Sequence, residues 1–123
     1  MCRDIAYVVD IVIYARRAQA FVHELSLEQF AVDTIVQDAT FHCFIMMGEA
    51  AGRLSAEFRA AHASVAWQEI RGMRNRLVHD YRTTDVPMVW RVLTDDIPAL
   101  LAELEPLVPP EDYDEVPSEW EFL

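Results

Sequence analysis

Between positions 71 and 81 the chain reads RGMRNRLVHDY, gathering three arginines, an asparagine, a histidine, an aspartate and a tyrosine. These side chains suit one kind of chemistry. Cleaving RNA without a metal needs a base to take the 2′-hydroxyl proton, an acid for the leaving 5′-oxygen, and positive charge at the phosphorus. Histidine, with an unperturbed pKa of about 6.5, can give or take a proton near neutrality. Arginine keeps its charge and matches phosphate with a bidentate fork. His79 and Arg74 are therefore the candidate catalytic pair, Asn75 can hold either partner through its amide, and Arg71 and Arg76 are candidate substrate contacts.

If the segment is helical, at ~100° per residue, Arg71, Asn75, His79 and Arg82 fall within about 80°, while Arg74 and His79 stand about 140° apart. One helix would struggle to aim both at a single phosphate. Two copies meeting across a two-fold axis could line one cleft with two arginines and two histidines. The plainer alternative is surface arginines with a helix-terminal histidine stabilised by the dipole, and spacing alone favours it.

Other constellations carry less. His23, His42 and His62 lack metal-ligand spacing, and His42, on an apolar helix, reads as a core or interface histidine. Glu49 and Arg53 form an i,i+4 pair and read as a structural salt bridge. Cys43 reads as core, and two cysteines, Cys2 and Cys43, make neither a disulfide framework nor a four-ligand zinc site. There is no Walker loop, no G-x-S-x-G, no H-E-x-x-H and no dinucleotide fingerprint. Neither a cofactor nor a metal site is expected.

The elements that must position these residues are helical. Glycine occurs only at 48, 52 and 72, and there is no Asn-Gly or Asp-Gly pair. Ile5, Val8, Val12 and Ala15 mark one face of a first helix. Ser26 and Gln29 fit a capping box. A long second helix is expected over about residues 32–60, a break at 64–67, and a third helix over about 67–80. Thr83, Thr84 and Asp85 offer caps for a fourth, with Pro87 in its first turn and a bend near Pro98, ending about residue 104. The fold class is all-α, an antiparallel bundle of four to five helices. Residues 41–51 (FHCFIMMGEAA) are apolar nearly all round, and Gly48 and Gly52 allow close backbone approach. A second apolar face favours a homodimer over a helix that is merely central.

The 123 residues form one domain, with a bundle over residues 1–108 and an acidic tail over 109–123. Net charge is −11, but the last 21 residues carry eight acids and no base, and there is no lysine in the chain. Such a balance excludes a general nucleic-acid coat. Trp120 and Phe122 could dock the tail. The longest uncharged runs are about half the ~20 residues a membrane span needs. The start lacks a signal-peptide pattern, so a cytoplasmic protein is expected.

The segment from Arg74 to Tyr81 resembles the R-x4-H-x-Y motif of the HepT-like family, within the HEPN superfamily of helical ribonucleases. Its surroundings are similar too: LSLEQF at 25–30, QDA at 37–39, GEAAGRLS at 48–55, WQEIRGMRN at 67–75, Val89-Trp90 and Asp96-Ile97-Pro98, all in order. The resemblance covers roughly residues 3–105, and the acidic extension lies outside it. It implies a homodimeric, metal-independent endoribonuclease, the toxin of a type VII-like toxin–antitoxin pair. The implied partner is a nucleotidyltransferase antitoxin that adds AMP to the motif tyrosine. Carried over, Arg74 and His79 are catalytic, Asn75 supports them, and Tyr81 is the AMP acceptor. The competing readings are a helical module that binds nucleotide or partner without cleaving, and a chain that serves chiefly as an AMP-acceptor substrate.

Overall fold

The structure, a computed structural model, describes residues 2–115. Among them there is no strand. The α-helices are α1 (Cys2–Phe21), α2 (Leu27–Val32), α3 (Thr34–Arg53), α4 (Ala56–Ala61), α5 (Trp67–Asp80), α6 (Val86–Arg91) and α7 (Ile97–Leu104). The all-α expectation holds. Its four main segments are α1, α3, α5 and the bent pair α6–α7; the short α2 is the turn or helix that the Ser26 capping box opens, and α4 is an addition.

The caps explain the boundaries. Ser26 Oγ accepts from the Gln29 amide at 3.1 Å, and the Ser26 amide donates back to Gln29 Oε1 at 2.8 Å, the reciprocal box the sequence predicts. Asp33 then ends α2 and caps α3, its carboxylate accepting from the Val36 amide at 3.0 Å. The long helix expected over 32–60 is interrupted. Leu54 leaves the helical region, with φ −64° and ψ 146°, and Ser55 opens α4 by accepting from the Phe58 amide at 3.0 Å. Asp4 of α1 fixes this corner: its two carboxylate oxygens accept from the Ser55 amide (2.8 Å) and hydroxyl (2.7 Å).

Asp85 caps α6 through the Met88 amide at 3.2 Å, with Pro87 in the first turn. The bend expected near Pro98 is a π-helical turn, Val92–Asp96, in which the Ile97 amide donates to the Val92 carbonyl. Pro98 has no N–H to continue the α pattern, and α7 restarts with proline in its first turn.

The core sits around α3, which packs against both α1 and α5 and runs antiparallel to them. Phe41, Phe44, Met47 and Ala51 are buried between these neighbours. Most of the apolar surface of residues 41–51 is thus used within one chain, with Ile45 and Met46 left half-buried. His42 is exposed rather than core, its ring edge-on to Tyr14 at 5.9 Å. Cys43 is buried as expected, and desolvation pushes its thiol up to about 12. His62 bonds Glu103 of α7 at 2.9 Å and lies on Phe58, closing the α4–α5 connection over the bundle. Val108 is the last buried residue described, and Trp120 and Phe122 lie outside the described residues.

Candidate functional site

Helix α5 is held by Trp67, Ile70, Met73 and Leu77, all buried, spaced three and four apart. That anchoring turns Arg71, Asn75, Val78 and His79 to solvent. Arg74 lies on the flank that meets α3, and Gly48 makes room for it. A Cβ at Gly48 would overlap the Arg74 Cβ, come within 2.8 Å of its Cγ, and stand 3.2 Å from the Ile70 carbonyl. The G-x-x-x-G spacing therefore does permit a close approach, between α3 and α5 of one chain.

The Arg74 guanidinium is held from two sides. Nη2 donates to Glu49 Oε1 at 3.2 Å, and Nη1 donates to Asn75 Oδ1 at 3.1 Å. The expected Glu49–Arg53 pair gives way to this cross-helix bridge, because the α3–α5 packing brings Arg74 within reach. Around it opens a cleft of about 290 Å³ lined by Glu49, Arg53, Arg71, Arg74 and Asn75 over Gly48 and Gly52. Three guanidinium groups face one carboxylate there among the described residues, which gives the cleft a net positive charge.

His79 stands elsewhere. It is exposed in the last turn of α5, and no hydrogen-bond partner of its ring is found among the described residues. It lines a second cleft of about 300 Å³, between α5 and the start of α6, shared with Arg76, Asp80, Thr84 and Met88. Arg74 and His79 thus occupy opposite flanks of one helix, as the ~140° separation predicts. Asn75 is brought to Arg74, Arg71 to the same cleft, and Arg76 to the His79 cleft, where its Nη1 lies 2.8 Å from Met88 Sδ. Tyr81 opens the turn Tyr81–Thr83 that follows α5, and its side chain lies outside what the structure describes.

Sequence reasoning read Arg53 as half of a structural pair and missed Thr84 and Met88 as lining residues. Only the register between helices places them, and no local spacing encodes it. Among the described residues no three histidine, cysteine or carboxylate side chains come together as metal ligands. No described helix is long and apolar enough to cross a membrane.

A family model described as "Ribonuclease HepT-like" matches residues 11–107, spanning the second half of α1, both clefts and α7. The chain belongs to the HepT-like ribonuclease family. Its relatives include the "Probable ribonuclease HepT" of Thermococcus cleftensis, 31% identical over 82% of this chain and 92% of that one. The "Putative RNase TTE0752" of Caldanaerobacter subterraneus is 32% identical over 71% of this chain and 78% of its own. The "Putative RNase MJ1380" of Methanocaldococcus jannaschii is 28% identical over 84% and 95%. No solved structure gives a significant match. The family match takes in the whole of α5, so the HepT-like segment is the one that carries both clefts.

Proposed function

We propose that this HepT-like chain is a homodimeric, metal-independent endoribonuclease whose site combines Arg74 with His79. The observation that carries the reading is the state of the two groups. Arg74 is oriented by Glu49 and Asn75 in a cationic cleft, while His79 presents an uncommitted imidazole on the same helix. In the reaction the 2′-oxygen attacks phosphorus as its proton is removed, and the 5′-oxygen departs and takes up a proton. The products are a 2′,3′-cyclic phosphate and a 5′-hydroxyl. His79 moves a proton, Arg74 neutralises charge gathering on the phosphoryl oxygens, and Asn75 keeps the guanidinium aimed. Arg71 and Arg76 hold flanking substrate.

Since the two groups flank one helix, a second chain is needed to close the site. Val78, apolar and 53% exposed, lies on the ridge between the clefts and is suited to meet its own copy there. On this reading the protein is the toxin of a toxin–antitoxin pair. A nucleotidyltransferase partner silences it by AMP transfer: the Tyr81 phenolic oxygen attacks the α-phosphorus of ATP and pyrophosphate leaves. The added phosphate would repel an RNA phosphate from the nearby arginines.

Purified protein incubated with RNA in EDTA tests the reading. Cleavage should persist and leave cyclic phosphate ends. His79→Ala should lower the rate by ~10²–10⁴-fold and Arg74→Ala by about 10²–10³-fold, with both variants folded by circular dichroism. Activity lost on chelation and restored by a divalent ion would sink the mechanism. The separation of Arg74 and His79 also favours one alternative. A chain that stays monomeric, binds nucleotide and cuts no RNA is a binding module.

A further inference from the structure

The cleft that holds His79 differs in charge from the one that holds Arg74. Arg76 is opposed there by Asp80 and Asp85, so with His79 neutral the cleft is net negative, whereas the Arg74 cleft sets three arginines against Glu49. A phosphate is drawn to the Arg74 side and repelled from the His79 side. What suits the His79 side is a flat, uncharged group with hydrogen-bond donors on its edge.

The lining supplies each contact such a group needs. Met73 forms a buried floor and Met88 a half-buried wall, both polarisable thioethers suited to a π face. Arg76, lying on Met88 Sδ, offers a guanidinium plane for stacking. Thr84 Oγ1 is buried with no hydrogen-bond partner among the described residues, and a hydroxyl both donates and accepts. Asp85 commits Oδ1 to the Met88 amide and keeps its second oxygen. Asp80 is exposed and makes no ion pair among the described residues.

We propose that this cleft binds the base of a nucleotide flanking the scissile phosphate and selects bases that carry an exocyclic amino group. The inference rests on the ribonuclease reading above. A base seated there brings its ribose beside the His79 ring and leaves the phosphate outside, toward the Arg74 cleft of a second copy of the chain. A carboxylate accepts from cytosine N4 or adenine N6, while uracil O4 would set acceptor against acceptor. Cytosine and uracil have nearly the same shape, so this pair isolates the amino group.

The test uses full-length protein with ¹³C-methyl methionine. Cytidine and uridine are titrated while the Met88 methyl signal is followed, and cleavage in EDTA is compared on oligoribonucleotides that differ by one C or U at the junction. Cytidine should move the Met88 signal at lower concentration than uridine, and the C junction should be cut about tenfold faster. Asp80→Asn should bring that ratio toward one, while Thr84→Val should weaken both bases alike and leave the ratio standing, with melting temperatures held. Cleavage that ignores C against U, with a silent Met88 methyl, overturns the base site and leaves the ribonuclease reading standing. A Met88 response to cytidine without any RNA cleavage overturns the ribonuclease reading, and with it the cleft as a substrate subsite.

Discussion

Gly48 and Gly72 sit in neighbouring helices, yet their hydrogens do opposite things. At Gly48 a methyl group would collide with the Arg74 stem and press on the Ile70 carbonyl. Gly48→Ala must therefore push α3 from α5 and should cost about 1–3 kcal/mol, seen as a lower melting temperature. At Gly72 a Cβ meets nothing within 4 Å and the residue is mid-helix. Gly72→Ala should stabilise by about 0.5–1 kcal/mol through lost freedom of the unfolded chain. Glu49 acts electrostatically. Its bridge to Arg74 is about one-third exposed on both sides, so its loss should change stability by less than about 1 kcal/mol. It is, however, the only carboxylate lining the cationic cleft among the described residues. Glu49→Gln should tighten binding of a short RNA and make that binding fall more steeply with salt, measured by fluorescence anisotropy across an ionic-strength series. Unchanged affinity at low salt would mean that phosphate does not enter this cleft.

Two aspartates at helix junctions respond to pH in opposite senses. Hydrogen bonds from the Ser55 amide and hydroxyl hold the Asp4 carboxyl below its ordinary 3.8. Its contribution is full above about pH 4 and is lost as pH falls through the lowered folded value. Asp96, at the end of the π turn, is raised, first by burial, then by the hydrogen bond and charge of Glu69, against the pull of Arg91. Its contribution is present below about pH 4 and lost as pH rises, so the ionised form weakens the α5–α7 corner at neutrality. Thermal melts against pH check both. Asp4→Asn should melt lower than the parent at pH 7 and converge with it in acid. Asp96→Asn should melt higher at pH 7, with the gain fading toward pH 3. Legibility at this scale followed the range of the interaction. Ser26 with Gln29, Asp85 with Pro87, and Pro98 act within a turn, and the boundaries they set can be read from spacing. The break at Leu54 was hidden because Leu54 is itself buried and continues the apolar pattern, while the carboxylate that fixes Ser55 comes from 51 residues away.

On the scale of the whole molecule, apolarity and geometry argue differently for a second chain. Most of the apolar surface of residues 41–51, which in the sequence pointed to a dimer, is used by α1 and α5 of the same chain, with Ile45 and Met46 left half-buried, since periodicity does not say which helix a face will meet. The angle between Arg74 and His79 was legible, because helix geometry fixes it once α5 is placed, and it is the stronger reason to expect two copies. In a two-fold dimer the Arg74 flank of one α5 can face the His79 flank of the other, giving two sites, each with one group from each chain. Arg74→Ala and His79→Ala homodimers should then both be silent, while a mixed dimer holds one intact site, Arg74 from the His79→Ala chain and His79 from the Arg74→Ala chain. Random mixing makes half the dimers mixed, so cleavage should recover to about a quarter of the parental rate at equal total protein. The measurement is RNA cleavage after co-refolding the two variants, with differently sized tags to purify the mixed species. Purified mixed dimers that cut no faster than either variant would overturn a site shared between the two chains.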